Sequence, residues 1–361
     1  MKGREKLEFY VKNYRGAGIA DSDAIDACLA EAKKAEGVKT VILDGEDYYL
    51  DRAILVFDDL EVIVDGCMLK QKNHVFDNIF RSENFIVNPE DPYGVPLDIK
   101  PTKNVKILGK NGASIYGTAW SKVGYHPFFE QDQCMVGDFW GWRTHMFNFC
   151  ITDTMEIAGF LLRQTMGWAL SFERCCNLHI HDLEIRSHVK NGDGVDLRSG
   201  CHHCLVENIS GTTSDDTVAL NATAKKNYDP NAPLSKYYLT SEPYHRLFPT
   251  EDRDIHHITV RNVTSGGRMH GVICLAANEN QVYDIDIEDI VEDVDGARQS
   301  TVKIYTGYGT NYRAGDLHDI RLRNIRSKSA DYAVMVAAEV ANVTLEEIYQ
   351  DNPEGDLTSG I

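Results

Sequence analysis

A seven-residue phrase that recurs along the chain constrains the fold more than any other feature of the sequence. The phrase begins with a small polar residue or histidine, alternates apolar with variable residues, and usually has Asn, Asp or Gly at its sixth position. Alternation with a period of two is typical of a strand that buries one face. Clear copies begin at Asn104, Asn177, His257, Asp284, Asp319 and Asn342, and looser copies at Thr154 and His203.

The spacing of these copies indicates a solenoid. From Thr154 onward they follow one another at intervals of roughly 23 to 35 residues, apart from one doubled interval between positions 203 and 257. One strand and a second apolar run per turn, with little helix, predict an all-β, single-stranded right-handed parallel β-helix. Leucine-rich repeats are the main competitor, but their regular L-x-x-L-x-L frame and shorter period are absent. We expect residues 1–361 to form one domain.

One segment near the N-terminus carries a helical pattern instead. Residues 21–37 offer Asp21 or Ser22 as a cap, place Ile25 and Leu29 on one face, and end at a glycine. The first coil of a solenoid leaves an apolar end open. We therefore expect this helix to cap the first coil.

The doubled interval between repeats contains an insertion. Residues 228–254 are rich in proline, tyrosine and charge, and they come shortly after a pair of aspartates. Long loops in compact repeat folds are usually functional or disordered. We expect the insertion to form one wall of a cleft, with a passive surface loop as the alternative.

Composition limits the classes of partner. The formal net charge of -18 argues against nucleic acid or an anionic membrane as the main partner. No apolar run approaches the roughly 20 residues that span a bilayer. Nine scattered cysteines and the lack of an apolar stretch behind the basic N-terminus favour a cytoplasmic protein with reduced thiols, or a secreted one if a leader precedes this sequence.

The stretch from Asn191 to Asn221 carries carboxylates at the entries to two short apolar runs. Asp193 precedes the first run, Asp215 and Asp216 precede the second, and a third run of the same shape follows His270. Placing the three runs in register puts Asp193, Asp216 and His270 in one column. Two acids and a histidine on successive strands predict an acid/base site. The competing interpretation is that the aspartates cap turns or form a polar ladder.

Crowding of these carboxylates has a chemical consequence. Like charges raise one another's pKa, so one carboxyl should stay protonated near neutral pH and could protonate a glycosidic oxygen. Strands in neighbouring coils lie about 4.8 Å apart, which allows carboxyl separations of roughly 6.5 to 9.5 Å with a water between them. An inverting glycosidase mechanism is therefore compatible with the predicted fold.

Several residues near the column are candidates for substrate binding. Lys303 and Tyr305 alternate with apolar residues in the next run, so both should point outward beside the acids. Arg268 lies next to the column and is a weaker candidate. Among the aromatic residues, which suit sugar faces, we expect Trp142 and the tyrosines of the 228–254 insertion to face a ligand.

The sequence gives weak support for a metal. The run Cys201-His202-His203-Cys204 lacks a second cysteine pair at ligand spacing, so the zinc signal is weak. Cys201 aligns instead with Cys175 one coil earlier, which predicts a stacked turn. A calcium cage at the clustered aspartates stays open as an alternative. We expect no metal and no cofactor.

With the solenoid and the acid column in place, the chain resembles the polygalacturonases of glycoside hydrolase family 28, which have the pectin-lyase-like β-helix fold. The likeness covers most of the chain, including DSDAIDACLAEA, GVKTVILDGEDYYL and KNVKILGKNGASIYGTAW. The family motif N-T-D is matched by Asn191-Gly192-Asp193, D-D by Asp215-Asp216, G-H-G in part by His270-Gly271 after Met269, and R-I-K loosely by Lys303-Ile304-Tyr305.

The resemblance implies an inverting hydrolase of an α-glycosidic bond in a pectin-type or related oligosaccharide. Asp215 would be the general acid, Asp193 and Asp216 would activate the water, and His270 would tune the protonation of the acid. Asn191 joins the substrate-binding set through its motif. The neutral Tyr305 replaces one of the two basic residues that hold the substrate carboxylate in the family, which leaves the acidity of the substrate open.

Three further hypotheses concern the mode of action and the class of protein. Long loops beside the groove favour exo action. A polysaccharide lyase on the same fold would use calcium and a basic residue. A non-catalytic glycan-binding solenoid would have no reason to interrupt its repeat with two acids and a histidine in one column.

Overall fold

The computed structural model of this chain describes residues 7–75, 77–90, 96–118, 141–189, 191–224, 252–293 and 298–360. Over these ranges the chain winds into a right-handed parallel β-helix, as predicted. Each coil contributes strands to two long sheets, and each strand pairs in parallel with the equivalent strands of the coils before and after it.

The first sheet has 15 strands, of which 11 follow one another in a single path. These 11 carry the recurring phrase or its first-coil equivalents. In order they are Leu7–Tyr10, Lys39–Asp44, Leu60–Asp65, Thr102–Lys110, Thr152–Ala158, Cys176–Arg186, His202–Thr212, Ile255–Ser265, Val282–Glu292, Leu317–Ser327 and Val340–Gln350.

The other four strands of this sheet pair with one another beside the early coils and join the path at Cys176–Arg186. From that coil onward the two short runs of each turn merge into one strand of 11 residues. The four strands are Tyr48–Leu50, Met68–Gln71, Ser114–Tyr116 and Leu161–Arg163.

The second sheet has 10 strands and contains the runs that follow the predicted catalytic residues. A separate antiparallel pair is formed by Phe85–Ile86 and Asp98–Ile99. In order the second sheet comprises Ile54–Val56, Phe80–Ser82, Phe147–Cys150, Leu170–Glu173, Val195–Arg198, Val218–Ala222, Val272–Ala276, Arg298–Thr306, Ala330–Ala337 and Asp356–Ser359.

The backbone conformation explains which residues occupy the polar positions of the recurring phrase. In each of the last six coils, the first and sixth residues of the phrase have φ between 50° and 57°, in the left-handed region. Asn, Asp and His tolerate this conformation better than most residues, which explains why the phrase selects them. The pairs are Asn177 and Asp182, His203 and Asn208, His257 and Asn262, Asp284 and Asp289, Asp319 and Asn324, and Asn342 and Glu347.

Apolar residues of the phrase stack in columns inside the solenoid. Ile180, Val206, Val260, Ile287 and Leu322 occupy one such column, each directly paired with the next, and all five are buried. Burial of one such side chain stabilises the fold by about 1.5–3 kcal/mol. The register of the first sheet is therefore fixed by the core, because a slip of one residue would expose every column.

The N-terminal helix is shorter than predicted. It spans Asp21–Ala32 and packs Ile25 and neighbouring residues into the main core, whereas the segment up to Gly37 forms turns. Ala20 occupies the N-cap position without a side-chain bond. Asp21 does not cap the helix, because its carboxylate accepts the backbone N–H of Tyr49 instead. Two short 3-10 helices lie at Val11–Tyr14 and Gly141–Thr144.

Most of the predicted insertion, residues 228–254, lies outside the described residues. The same holds for the segment immediately before Gly141. Among the described residues no helix has the length and hydropathy required to cross a membrane.

Candidate active site

The structure stacks the predicted acid column. Asp193, Asp216 and His270 stand two residues before mutually paired valines on three neighbouring strands. Gly194 donates its backbone N–H to the Asp216 carbonyl at 2.9 Å, and the N–H of the residue after Asp216 binds the His270 carbonyl at 2.9 Å. The three valines that set this register are Val195, Val218 and Val272.

Three carboxyl groups meet at the top of this column. One oxygen from each of Asp193, Asp215 and Asp216 lies within 4.8 Å of the other two. Asp193 is 5% exposed and Asp216 is 8% exposed, while Asp215 is half-buried. The partly exposed Asp215 is therefore the member of the cluster that an incoming molecule can reach most easily.

Burial and mutual repulsion favour the protonated forms of these acids. Burial raises the pKa of Asp193 well above its usual value, and the charges of Asp196, Asp215 and Asp216 add to the effect. Burial, followed by the charge of Asp215, raises the pKa of Asp216 to about 8. Because the groups interact, the protons belong to the cluster as a whole. The cluster therefore keeps at least one proton at neutral pH.

Positive groups around Asp216 oppose this effect in part. The backbone N–H of His270 donates to Asp216 Oδ1 at 3.2 Å, and the charges of Lys303 and Arg298 lower the pKa of Asp216. Arg298 is buried and pairs with the buried Glu292, with 3.4 Å between Nε and Oε1. A buried cation thus lies close enough to Asp216 to favour its ionised form.

His270 is a neutral residue in this environment. Its ring is buried, and burial lowers its pKa to about 4, with a smaller contribution of the same sign from Lys303 and Arg298. Nδ1 lies 2.9 Å from the Ser300 carbonyl oxygen, which can only accept, so Nδ1 carries the proton. Nε2 then presents a lone pair, and the ring can accept a hydrogen bond but supplies no positive charge at neutral pH.

A fourth carboxylate, Asp196, was missed by the sequence analysis. It is fully buried, and neither of its oxygens has a hydrogen-bond partner among the residues that the structure describes. Burial raises its pKa well above the usual value, opposed by Arg198, and the charges of Asp216 and Asp215 raise it further. The signal was its outward position in the strand three residues after Asp193, but alternation alone predicts a solvated side chain there.

The structure brings the predicted binding residues Lys303 and Tyr305 near the acids. Lys303 is half-buried, donates to Gln299 Oε1 at 2.7 Å, and lies 4.5 Å from the ring centroid of Tyr305. Tyr308, which the sequence analysis did not select, meets Tyr305 edge to face at 6.3 Å and is 83% exposed. Burial and then the charge of Asp215 raise the pKa of Tyr308, so its hydroxyl group lies close to the acid cluster. The two tyrosines form a small aromatic surface beside the cluster.

The other predicted binding residues occupy different environments. Arg268 is exposed, and its backbone N–H binds the carbonyl of Thr213, next to the site. Asn191 is half-buried, directly before the glycine that leads into the acid column. Trp142 is 2% exposed and packs against Phe85 at 4.8 Å in a separate apolar cluster. This placement favours a core role for Trp142 over contact with a sugar.

Two departures from the family motifs have a steric explanation. A side chain at Gly192 would collide with the hydroxyl oxygens of Ser187 and Ser214, so the threonine of N-T-D could not fit here without rearrangement. Met269, in the position of the first glycine of G-H-G, is 43% exposed. Its side chain is therefore accommodated at the surface.

The cysteines of the Cys201–Cys204 run are placed as the stacked-turn prediction requires. Cys201 Sγ donates to the carbonyl of Phe172, and Cys175 Sγ makes the equivalent bond to Phe149 one coil earlier. Both thiols are buried inside the solenoid. They are therefore not available to an ion bound on the outer surface.

No protein-family model and no curated protein matches the sequence. Solved structures do match. The polygalacturonase of Erwinia carotovora ssp. carotovora aligns over 96% of this chain and 93% of its own, with 14% identity and a TM-score of 0.60. A 1,3-α-1,4-β-D-galactose-4-sulfate-3,6-anhydro-D-galactose-2-sulfate 4 galactohydrolase aligns over 99% of this chain and 90% of its own, with 10% identity and a TM-score of 0.58.

A third match is a tailspike protein of an E. coli bacteriophage in complex with a hexasaccharide. It aligns over 94% of this chain with 10% identity and a TM-score of 0.58, and this chain spans 56% of its length. At such identities the likeness extends to the fold. The protein belongs to the class of right-handed parallel β-helices, a fold that it shares with glycoside hydrolases and with a glycan-bound tailspike.

Proposed function

We propose that the protein is a glycoside hydrolase that cleaves an α-glycosidic bond of an oligosaccharide at the cluster of Asp193, Asp215 and Asp216. The observation that carries this proposal is a partly exposed carboxyl group in contact range of buried carboxyls that retain a proton at neutral pH. Glycosidic oxygens need such a proton to leave as hydroxyl groups.

In the proposed reaction Asp215 donates a proton to the glycosidic oxygen as the bond to the anomeric carbon breaks. A water held by Asp193 and Asp216 loses a proton to the cluster and forms the new bond to that carbon. The products are one new reducing sugar and one alcohol. The cluster has then given one proton and received one, so it is ready for another turnover.

Residues behind the cluster would set its protonation. The neutral ring of His270 fixes the backbone that donates to Asp216, and the buried Arg298 limits how far the pKa of Asp216 can rise. Removal of Arg298 would raise the pKa of Asp216 further, so a smaller fraction of the protein would hold Asp216 as a carboxylate that can accept the proton of the water.

The inverting outcome rests on the family resemblance. Inverting glycosidases separate their two carboxyl groups by about 6.5–9.5 Å and retaining ones by about 5–5.5 Å. One oxygen from each carboxyl group of this cluster lies within 4.8 Å of the other two, closer than the separation typical of inverting enzymes. We propose that side-chain rotation of Asp215 toward the substrate opens that space, and the anomer formed first in an NMR time course tests this step directly.

We propose a pectin-type or related substrate, held by Lys303 and the aromatic surface of Tyr305 and Tyr308. One ammonium group beside the acids could pair with a single sugar carboxylate. Exo action would follow if the 228–254 insertion closes one end of the groove. A product series of random internal cuts on a polymer would contradict exo action.

The test is hydrolysis of a panel of α-linked oligosaccharides, galacturonides and neutral sugars together, in the presence of chelator. Wild type is compared with Asp215→Asn and with Asp331→Asn, which replaces an exposed aspartate of the same sheet. We expect new reducing ends from wild type and Asp331→Asn and none from Asp215→Asn.

Other outcomes identify the competing functions. Activity that chelator removes, with a product that absorbs in the ultraviolet, would indicate a calcium-dependent lyase. Binding of a glycan by wild type and Asp215→Asn without turnover by either would indicate a glycan-binding solenoid.

A further inference from the structure

Four histidines gather on the outside of the first sheet, and the proposed hydrolase reaction uses none of them. His202 and His203 are the first two residues of one strand, and His256 and His257 are the second and third residues of the next, with His202 paired directly to His256. We refer to these four residues as the histidine cluster. His202 and His256 stack at 5.0 Å between ring centroids, and His203 and His257 stack at 4.5 Å.

The ring nitrogens of the cluster converge. One nitrogen from each of His203, His256 and His257 lies within 4.8 Å of the other two. Nδ1 of His256 lies 2.8 Å from Nδ1 of His257, and the same distance separates the Nδ1 atoms of His202 and His203. Two nitrogens at this distance must share a single proton between them or bind a common cation, because two N–H groups would repel each other.

A carboxylate fixes the tautomer of one ring. Asp284 Oδ2 lies 3.0 Å from Nε2 of His257 and can only accept, so Nε2 carries the proton. Nδ1 of His257 is then unprotonated, and it is the atom that faces His256. A carboxylate behind a histidine in this way is the usual second shell of a metal-bound imidazole.

A second carboxylate also lies near the cluster. Asp252 is close enough to interact with the rings of both His202 and His256. Negative charge in this position favours a bound cation.

The turn itself does not require histidine at these positions. His203 and His257 have φ of 56° and 55°, in the left-handed region. Equivalent positions in other coils are occupied by asparagine or aspartate, as at Asn177, Asp319 and Asn342. Two adjacent coils thus place a larger ring where a small polar side chain suffices, and both also have histidine at the preceding position.

We propose that the histidine cluster binds one divalent first-row transition-metal ion, with His203, His256 and His257 as ligands and water in a fourth position. Imidazole suits zinc, copper and nickel, and zinc accepts three histidines and a water in tetrahedral geometry. Ligand nitrogens about 2.0–2.1 Å from zinc lie about 3.3 Å apart, so small ring rotations from the observed 2.8 Å would admit the ion.

This site is separate from the acid cluster. Asp193 precedes the strand Val195–Arg198 of the second sheet, whereas His202 follows that strand and begins a strand of the first sheet. Residues 225–251, which are outside the described ranges, lie in the sequence between the two histidine pairs. An ion bound to His203 and His257 would therefore connect the two strands that flank the insertion in the sequence. We expect this connection to raise the unfolding temperature of the protein.

The experiment measures zinc binding to untagged, chelator-stripped protein by calorimetry, with cobalt absorption as a probe of tetrahedral coordination. The variants are His203→Asn and His257→Asn, which keep a residue suited to the left-handed backbone, and Asp284→Asn. His318→Asn is the matched control, because His318 occupies the position of His256 two coils further along and stacks on Tyr283 at 4.9 Å.

We expect one zinc per chain in wild type and in His318→Asn, with tetrahedral cobalt spectra. The two ligand variants should weaken zinc binding at least about 10-fold, and Asp284→Asn about 10-fold or more through loss of the second shell. Absence of saturable binding to wild type would overturn the proposal. So would binding that His203→Asn and His257→Asn leave unchanged, since it would place the ion outside the histidine cluster, for example at the acid cluster, another group of convergent ligands among the described residues.

Discussion

At the scale of single residues, the acid cluster lowers the stability of the fold and provides carboxyl groups with unusual protonation. Asp196 is fully buried, and within the described part of the chain its two oxygens have no hydrogen-bond partner. Asp193 and Asp216 lie beside it, with pKa values raised chiefly by burial. Residues that only stabilised the solenoid would avoid this arrangement, because buried unpaired carboxylates cost free energy. Such costs concentrate where a reaction needs unusual protonation.

This cost predicts how stability depends on pH. The folded pKa of Asp216 is about 8, above the unfolded value of about 3.9. The folded state therefore binds the proton more tightly, and its stability should fall as pH rises from about 4 to about 8. Asp216→Asn and Asp196→Asn should each stabilise the protein by about 1–3 kcal/mol at pH 8.5, and by less at pH 5.

Urea unfolding of wild type and both variants at the two pH values measures this difference. Asp331→Asn is the control, since it removes an exposed aspartate from the same sheet. Equal or lower stability of the two cluster variants at pH 8.5 would contradict the burial of repelling charges.

At the scale of elements, the two left-handed residues of each strand set the shape of the coil. They lie five positions apart in six successive coils and turn the chain at both ends of the inward-facing run. Their side chains also bond from coil to coil, as where Asn262 donates to Asn208 Oδ1 at 2.6 Å. We infer that the left-handed backbone conformation, more than the side-chain hydrogen bonds between coils, explains why these positions hold asparagine and aspartate.

A pair of substitutions at Asn262 separates these two effects. Asn262→Gly and Asn262→Ala both remove the amide bond, but only glycine adopts the left-handed backbone without cost. We expect Asn262→Ala to be less stable than Asn262→Gly by about 1 kcal/mol in denaturant unfolding. If the two variants are equally stable, the backbone explanation fails.

The strands and the helix also show which features of the fold can be predicted from the sequence. Period-two alternation predicted the strands and the column of Asp193, Asp216 and His270, because burial of one strand face fixes the register. The end of the helix at Ala32 was not predicted, since the polar residues that follow it suit helix and turn alike. The burial of Asp196 and Arg298 was also missed, because the cover over an outward-facing residue comes from distant parts of the chain.

At the scale of the whole molecule, the solenoid is uneven along its axis. Ile320, Leu322 and Ile325 are buried in the second-last strand of the first sheet. Their paired neighbours Val343 and Ile348, in the last described strand of that sheet, are only partly buried. Among the described residues, Val340–Gln350 pairs with a strand on one side only, and because each coil of such a fold is stabilised by its neighbours, we expect this coil to be the least stable.

Hydrogen exchange should therefore be fastest at one end. We expect amides of Val340–Gln350 to exchange well before those of Ile255–Ser265, although both segments pair in parallel along their length. Local opening of a terminal coil needs no rupture of the central core. Uniform protection along the solenoid would show that it opens only as a single unit.

The pH dependence of hydrolysis by wild type and Asp215→Asn tests the role of the acid cluster most directly. Once the panel has given a substrate, initial rates of reducing-sugar release are measured from pH 4 to pH 9. The proposed mechanism predicts a wild-type rate that falls as pH rises through about 8, where the cluster loses its proton, and no rate above background for Asp215→Asn. Full activity of Asp215→Asn, or a wild-type rate that keeps rising above pH 8, would contradict it.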